Sequence, residues 1–267
     1  MNIVENRLEL KAYFLEIIQN EVATFNQSVS SENGDWVVKG FIDIAKNIYT
    51  ISVDTKVISK IMELLIFPNI CRFAEKYKLK MMLSKEQNFY PDITFVDEEG
   101  NKYAVDLKST YRKNSKSVNG MTLGAFTGYF RDRKSTKNIT FAYDDYIAHF
   151  VLGIIYSRAD NAIDEREIYQ IDDILNITSV AKDFEFFVQE KYKIAVDRPG
   201  SGNTKNIGST TSIDALKNGK GTFAELGEET FDDYWKFYLT QEMAKAAELN
   251  KSPYTNLKQY KELKNIQ

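Results

Sequence analysis

The segment FYPDITFVDEEGNKYAVDLKSTY, residues 89–111, constrains the fold more than any other stretch of the chain. Two runs rich in β-branched and aromatic residues flank DEEGN, and Gly100 suits a tight turn between them. Side chains alternate along a strand, so Tyr103, Val105 and Leu107 share one face while Ala104, Asp106 and Lys108 share the other. In the preceding run Ile93 and Phe95 face the core, and Asp92 and Thr94 face away. With the turn centred on Glu99, residue i pairs with residue 198 − i, which sets Asp92 opposite Asp106. Like charges directly opposed in a sheet cost up to about 1 kcal/mol. Such a pair calls for a cation. Lys108 supplies one charge, and a divalent metal would supply more. The plain alternative is an ion pair on a solvated hairpin, which is how an isolated Asp-x-Lys would be read. Pro-Asp, thirteen intervening residues and then Asp-x-Lys on one hairpin is a more specific pattern.

Composition narrows the chemistry. The chain has one cysteine, Cys71, and one histidine, His149. Internal disulfides and Cys/His zinc clusters are therefore excluded. Catalysis would have to run on carboxylates, lysines and hydroxyls, helped by a hard, oxygen-ligated cation such as Mg²⁺, Mn²⁺ or Ca²⁺. A length of 267 residues suffices for one large domain or two small ones with a real core. No run of about 18 apolar residues is present, so no membrane partner is expected. The stretch MNIVENRLELKAYFLEII is acidic and amphipathic, unlike a basic leader with an apolar centre, and a cytoplasmic protein is expected. Net charge is −3, yet residues 101–140 carry nine Lys/Arg against two Asp/Glu, and residues 161–190 carry two against eight. That asymmetry suits one face for a polyanion and another for solvent or a partner. Residues 112–116 alone read equally well as a solvated basic loop.

Hydrophobic spacing predicts an amphipathic helix over 5–26, from Leu8, Leu10, Tyr13, Phe14, Ile17 and Ile18. Residues 36–53 are apolar and β-branched, as in a small hairpin. Asp54 is placed to cap a helix with Val57, Ile58, Ile61, Leu64 and Leu65 on one side, which Pro68 should kink or end. TLGAFTGYF reads as a strand. The clearest helical pattern lies at 143–158, with Asp144 as cap and Ile147, Phe150, Val151, Ile154 and Ile155 as its stripe. Residues 182–197 read as two strands around 189–191, residues 198–212 as a long polar loop, and 228–249 as a helix. The expected class is α/β: a mixed central β-sheet flanked by helices, in one domain with a small appended subdomain.

Pro-Asp followed by Asp-x-Lys is the pattern of the PD-(D/E)xK nucleases. Longer segments sharpen it: SVDTKVISKIMELL, EQNFYPDITF, YAVDLKSTY, MTLGAFTGYF, STKNITFAYDDYIAHFVLGIIYSR and GSGNTKNIGS occur in that order. Together they resemble the EcoRV family of type II restriction endonucleases, over residues 52–158 and again over 184–210. The resemblance implies a restriction-endonuclease-like core. It implies Asp92 and Asp106 as metal ligands, Lys108 as the catalytic lysine, and Glu63, on the preceding helix, in a supporting or second-metal role. From spacing alone Glu63 stands either at the edge of an apolar stripe or aimed at a cation. Gln87, Asn88 and Tyr90 match a minor-groove loop, whose plain reading is a polar turn. Gly200, Ser201, Gly202, Asn203, Thr204, Lys205 and Asn206 match a major-groove recognition loop. Small residues let backbone approach base edges, Asn can pair with adenine, and a Thr methyl can meet a thymine methyl. A plain Gly/Ser loop and a phosphate cradle are the alternatives, although the Gly-Lys-Ser/Thr of a nucleotide-binding loop is missing. Lys137, and less directly Lys56 and Thr110, are implied phosphate contacts, which give affinity and salt dependence but not sequence choice. His149 is read as structural. Glu86, Phe89 and Lys205 depart from the family pattern; they bear on affinity and flanking preference and leave the catalytic set complete.

The resulting expectation is a homodimeric type II restriction endonuclease that uses Mg²⁺, with Mn²⁺ able to substitute. It would cut double-stranded DNA at the palindrome GATATC and leave blunt ends. Residues 36–53 and 159–178 would form a dimerisation subdomain, 54–158 the catalytic core and 182–267 a DNA-recognition region. A DNA methyltransferase protecting the host is expected, without a stable complex. Three rivals stand beside this: a repair or junction-resolving nuclease that cuts by DNA shape, a catalytically idle DNA-binding protein, and an acidic metal-binding module with no DNA partner.

Overall fold

The computed structural model describes residues 3–86, 88–159, 166–200 and 205–266. The elements, in chain order, are α1 (Ile3–Gln19), α2 (Val22–Val29), β1 (Gly40–Ile42), β2 (Ile48–Thr50), α3 (Thr55–Lys76), β3 (Lys80–Leu83), β4 (Ile93–Val96), β5 (Lys102–Asn114), β6 (Ser117–Val118), β7 (Thr122–Ala125), β8 (Tyr146–Arg158), β9 (Ile168–Tyr169), β10 (Ala181–Glu190), α4 (Lys191–Ile194), β11 (Ala195–Pro199), β12 (Asn206–Ser209), α5 (Ile213–Asn218), α6 (Gly227–Phe237), α7 (Gln241–Ala246) and α8 (Leu257–Lys264). Among the described residues the strands form three sheets. The central one runs β10-β8-β5-β4-β3, with β6 paired to β5. Its β5–β8 pair is parallel and its other pairs are antiparallel, so the sheet is mixed, as the sequence predicts. The two smaller sheets are β1-β2-β9 and β11-β12-β7. Among the described residues no helix is long and apolar enough to cross a membrane.

The segment 143–158 overturns the helix expected there. Residues 143–145 make a single 3₁₀ turn containing Asp144, and Tyr146–Arg158 is a strand. The reason is burial on both faces. Phe150, Leu152, Ile154 and Tyr156 point into one core, while Val151 and Ile155 point into the other. A strand covered on both sides is a continuous apolar run, and such a run fits a helical template as readily as a strand. Gly153 leaves room on this strand for a ring from β10: a Cβ there would stand 2.0 Å from Phe187 Cζ.

Other boundaries shift for local reasons. The expected helix over 5–26 breaks into α1 and α2, which lets Phe14, Ile17 and Ile18 share one core with Phe25 and Val29; Leu8 and Tyr13 stay exposed. Asp54 caps α3 as expected, accepting the N–H groups of Lys56 and Val57. Pro68 does not end α3. It lies on the exposed side, where water can take up the carbonyl of Leu64 that its ring leaves unbonded. Ile58, Met62, Ile66, Ile70 and Phe73 make the buried side, and Leu64 faces out. TLGAFTGYF is a strand only through Ala125, then a 3₁₀ turn over Gly128–Phe130. Residues 182–197 are one long strand, the single turn α4, and the start of β11 in a different sheet. The helix expected over 228–249 is two, because Thr240 starts α7 anew by accepting the Met243 N–H.

The sheet thus separates two cores. Phe14, Met62, Phe73, Ile93, Tyr103 and Val105 belong to the first, on the side of α1–α3. Ala104, Leu123, Phe130, Tyr143, Tyr234 and Trp235 belong to the second.

Candidate active site

Strands β4 and β5 pair as Ile93↔Val105, Thr94↔Ala104, Phe95↔Tyr103 and Val96↔Lys102. Every pair sums to 198, so the register places Asp92, one residue before β4, across from Asp106. Thr94 and Ala104 are fully buried and Asp106 is only 5% exposed. A solvated hairpin is therefore excluded, since the second core covers this face at Ala104 and Asp106 is buried beside it. A carboxylate buried in such a place needs partners. Lys108 Nζ stands 2.5 Å from Asp106 Oδ2 and 3.9 Å from Asp92 Oδ2. The Leu107 N–H donates to Asp92 Oδ2 at 2.7 Å.

The two acids are electrostatically unequal. Burial, and then the neighbouring Asp106 charge, push Asp92 up to about 7. Burial pulls Asp106 the same way, but the Lys108 charge and hydrogen bond overcome it and hold Asp106 below the usual carboxylate range. Burial would lower Lys108, but Asp106 and Asp92 keep it above its ordinary value. Near neutral pH the site therefore holds an ionised Asp106, an ammonium at Lys108 and an Asp92 poised between its two forms. Among the described residues no three Asp, Glu, His or Cys side chains converge as a metal cluster. The chain offers a cation two facing carboxylates, the set typical for Mg²⁺, whose other positions go to water and phosphate oxygens.

Two cavities meet at Asp92 and Lys108. One, of about 590 Å³, is lined by Asp106, Asn88, Tyr90, Lys137 and Asn206 among others. The other, of about 750 Å³, is lined by Glu63, Lys56, Thr110, Tyr111 and Arg158 among others. Glu63 thus shares a cavity with Asp92 and Lys108 but not with Asp106, and it pairs with Lys60 at 2.9 Å. Thr110 is buried and spends its hydroxyl on the Asn119 carbonyl at 2.6 Å. Tyr90 is also buried, its hydroxyl 3.0 Å from His149 Nδ1. His149 lies on β8 beside Ala104, not on a helix, and burial pushes its imidazole well below the ordinary value.

The expected recognition loop joins β11 to β12. Gly200 and Asn206 close its base, with the Gly200 N–H donating to the Asn206 carbonyl at 3.0 Å. Asn206 in turn pairs with Ala125 of β7, whose Thr122, Gly124 and Ala125 line the first cavity. The loop therefore grows from the wall of the site. Lys205 is exposed. Gln87, Ser201, Gly202, Asn203 and Thr204 lie outside the described residues.

Several lining residues escape the sequence reading. Tyr129, Asp132, Ser135 and Asn138 line the first cavity, and Ser59, Lys60 and Arg158 the second. The basic run RDRKSTKN was a usable signal for the first group. Nothing in the spacing announces Arg158, whose guanidinium lies 3.6 Å from the Tyr111 ring centre.

A family model, that of the restriction endonuclease EcoRV, matches residues 32–265. The chain belongs to the EcoRV family of restriction endonucleases. The type II restriction enzyme EcoRV of Escherichia coli is 36% identical over 233 residues, which cover 86% of this chain and 91% of that protein. The match spans the whole central sheet, both cavities and the β11–β12 hairpin. It makes the chain an EcoRV-like type II restriction endonuclease, a hydrolase that binds DNA. The mixed sheet flanked by helices is the architecture expected of that family.

Proposed function

We propose that the chain hydrolyses both strands of duplex DNA at a short palindrome, with Asp92, Asp106 and Lys108 as its catalytic set. The observation that carries this is their convergence where two polar cavities meet. Asp92 and Asp106 would hold Mg²⁺, or Mn²⁺ in its place. When bound, such a cation offsets phosphate charge and makes a coordinated water more acidic. Lys108, which Asp106 and Asp92 hold above its ordinary value, would carry positive charge where phosphate charge develops. Glu63 supports the site from the side of the second cavity.

Asn88, Lys137 and Asn206 line the cavity on one side of the acids and Lys56 the cavity on the other, which supports them as DNA contacts. The match of residues 200–206 to a major-groove loop supports GATATC as the site, cut at its centre to leave blunt ends. A palindrome calls for a two-fold symmetric enzyme. The sheet β1-β2-β9 and its surroundings expose Phe41, Ile42, Ile44, Ile168 and Leu175, an apolar surface that supports a homodimer contact there. On this reading residues 36–53 and 159–178 serve dimerisation, 54–158 catalysis and 182–267 recognition.

The test is digestion of a plasmid of known sequence in Mg²⁺, followed by sequencing of the ends. Blunt ends at the centre of GATATC are expected. Ends without a common sequence would replace site recognition by shape recognition.

A further inference from the structure

One buried charge has no part in the chemistry above. Lys191 opens α4, at the junction between β10 of the central sheet and β11 of the recognition hairpin. It is 2% exposed. Its ammonium lies over the rings of Tyr90, Tyr143 and Phe130, at 4.5, 5.4 and 5.7 Å from their centres. No described protein group accepts a hydrogen bond from it. Gly124, at φ +90°, admits it to the wall of the first cavity: a Cβ there would stand 3.5 Å from Lys191 Nζ and 3.8 Å from Tyr90 Cδ2. Gly124, Tyr90 and Asp106 line that same cavity. Burial pushes Lys191 down to about 8, against the pull of the Asp106 charge.

For the fold alone this is a poor use of an interior position. A buried ammonium satisfied only by ring faces is less favourable there than an apolar side chain of similar length. Its contacts, however, converge on the catalytic strands. The ring it covers is that of Tyr90, two residues before Asp92, and Tyr90 is further fixed by Tyr129 at 5.4 Å, by His149 and by backbone bonds to Asn138 and Thr140.

We propose that Lys191 is a positioning residue: a buried cation in an aromatic box that clamps Tyr90. It thereby fixes the catalytic strand at Asp92, two residues on, relative to the recognition hairpin that begins four residues after Lys191. The inference rests on the nuclease reading. Buried as it is, Lys191 acts through Tyr90, so its loss should slow cleavage with little effect on binding.

The experiment compares wild type with Lys191→Met, which keeps the length of the side chain and removes the charge. Three quantities are read: single-turnover cleavage of supercoiled plasmid in Mg²⁺, affinity for a duplex containing GATATC in Ca²⁺, and Tm. Cleavage should fall by about tenfold or more, since small misplacements of catalytic groups cost rates of that order. Affinity should stay within about threefold. Tm should be unchanged or higher, because a buried charge that finds no hydrogen-bond acceptor among the described residues and is met only by ring faces has been replaced by an apolar chain of similar length. Cleavage within twofold of wild type would overturn the inference. So would a variant that unfolds or loses several degrees of Tm, because the charge would then serve the fold. A wild type that leaves the plasmid intact would instead overturn the nuclease reading, and this inference with it.

Discussion

The raised Asp92 carboxyl makes the coupling of metal binding to protons measurable. A cation held by Asp92 and Asp106 must displace the proton from Asp92, whereas Asp106 is already ionised beside Lys108. With Asp92 at about 7, about one molecule in ten is ionised there at pH 6 and about nine in ten at pH 8. The apparent affinity for Mg²⁺ in the absence of DNA should therefore fall about tenfold per pH unit below 7 and level off above 8. Calorimetric titration at pH 6, in buffers of different ionisation enthalpy, should find about one proton released per ion. The same shift acts on stability. Asp92 binds its proton more tightly folded than unfolded, so stability falls as pH rises from about 4 to about 7. A shift of about three units corresponds to at most about 4 kcal/mol. The Asp92 side chain keeps 40% of its surface exposed, and solvent screening cuts this to about 1–2 kcal/mol. Asp92→Asn keeps an acceptor for the Leu107 N–H and cannot ionise, so at pH 8 it should be more stable than wild type by that amount. Urea midpoints at pH 5 and pH 8 measure this. Mg²⁺ affinity that is flat from pH 5.5 to 8, with no proton release, would refute the reasoning.

Three further outcomes follow from other parts of the molecule. Gly153→Ala drives a methyl to within 2.0 Å of the Phe187 ring, next to Lys108 in the sheet, and should cost about 1–3 kcal/mol or more in a urea melt. Leu175→Lys together with Ile44→Lys adds charge to the exposed apolar surface near β1-β2-β9; on the proposed homodimer reading, sedimentation should show a dimer for the unaltered chain and a folded monomer for this variant. Lys137→Ala should weaken DNA binding about equally for sequences with and without GATATC, and reduce the salt slope by about one ion.

Much of the site was legible because it is local. A turn glycine, alternation along two short strands and one Asp-x-Lys fixed the register that pairs Asp92 with Asp106. The Asp54 cap was equally local, needing only N–H groups two and three residues on. The failures share a different origin. Strand β8 carries a helical pattern because both its faces are covered, by side chains remote in sequence. Pro68 does not end α3, because solvent can satisfy what the proline leaves unbonded. Lys191 was invisible because its meaning lies in three rings from residues 90, 130 and 143, brought together only by the fold. Spacing likewise left Glu63 open, and the structure gives it the second cavity, opposite Asp106 across Asp92 and Lys108.

The central claim is that the facing acids and Lys108 form the hydrolytic site, and Asp106→Ala tests it most directly. The variant should be assayed on plasmid in Mg²⁺ beside wild type, with DNA affinity measured in Ca²⁺ and folding checked by circular dichroism. Nicked and linear products should disappear, cleavage falling by at least about a thousandfold, as when an interaction needed in the transition state is lost. Folded structure and DNA affinity should persist. Cleavage by the folded variant within tenfold of wild type would place the hydrolytic site elsewhere.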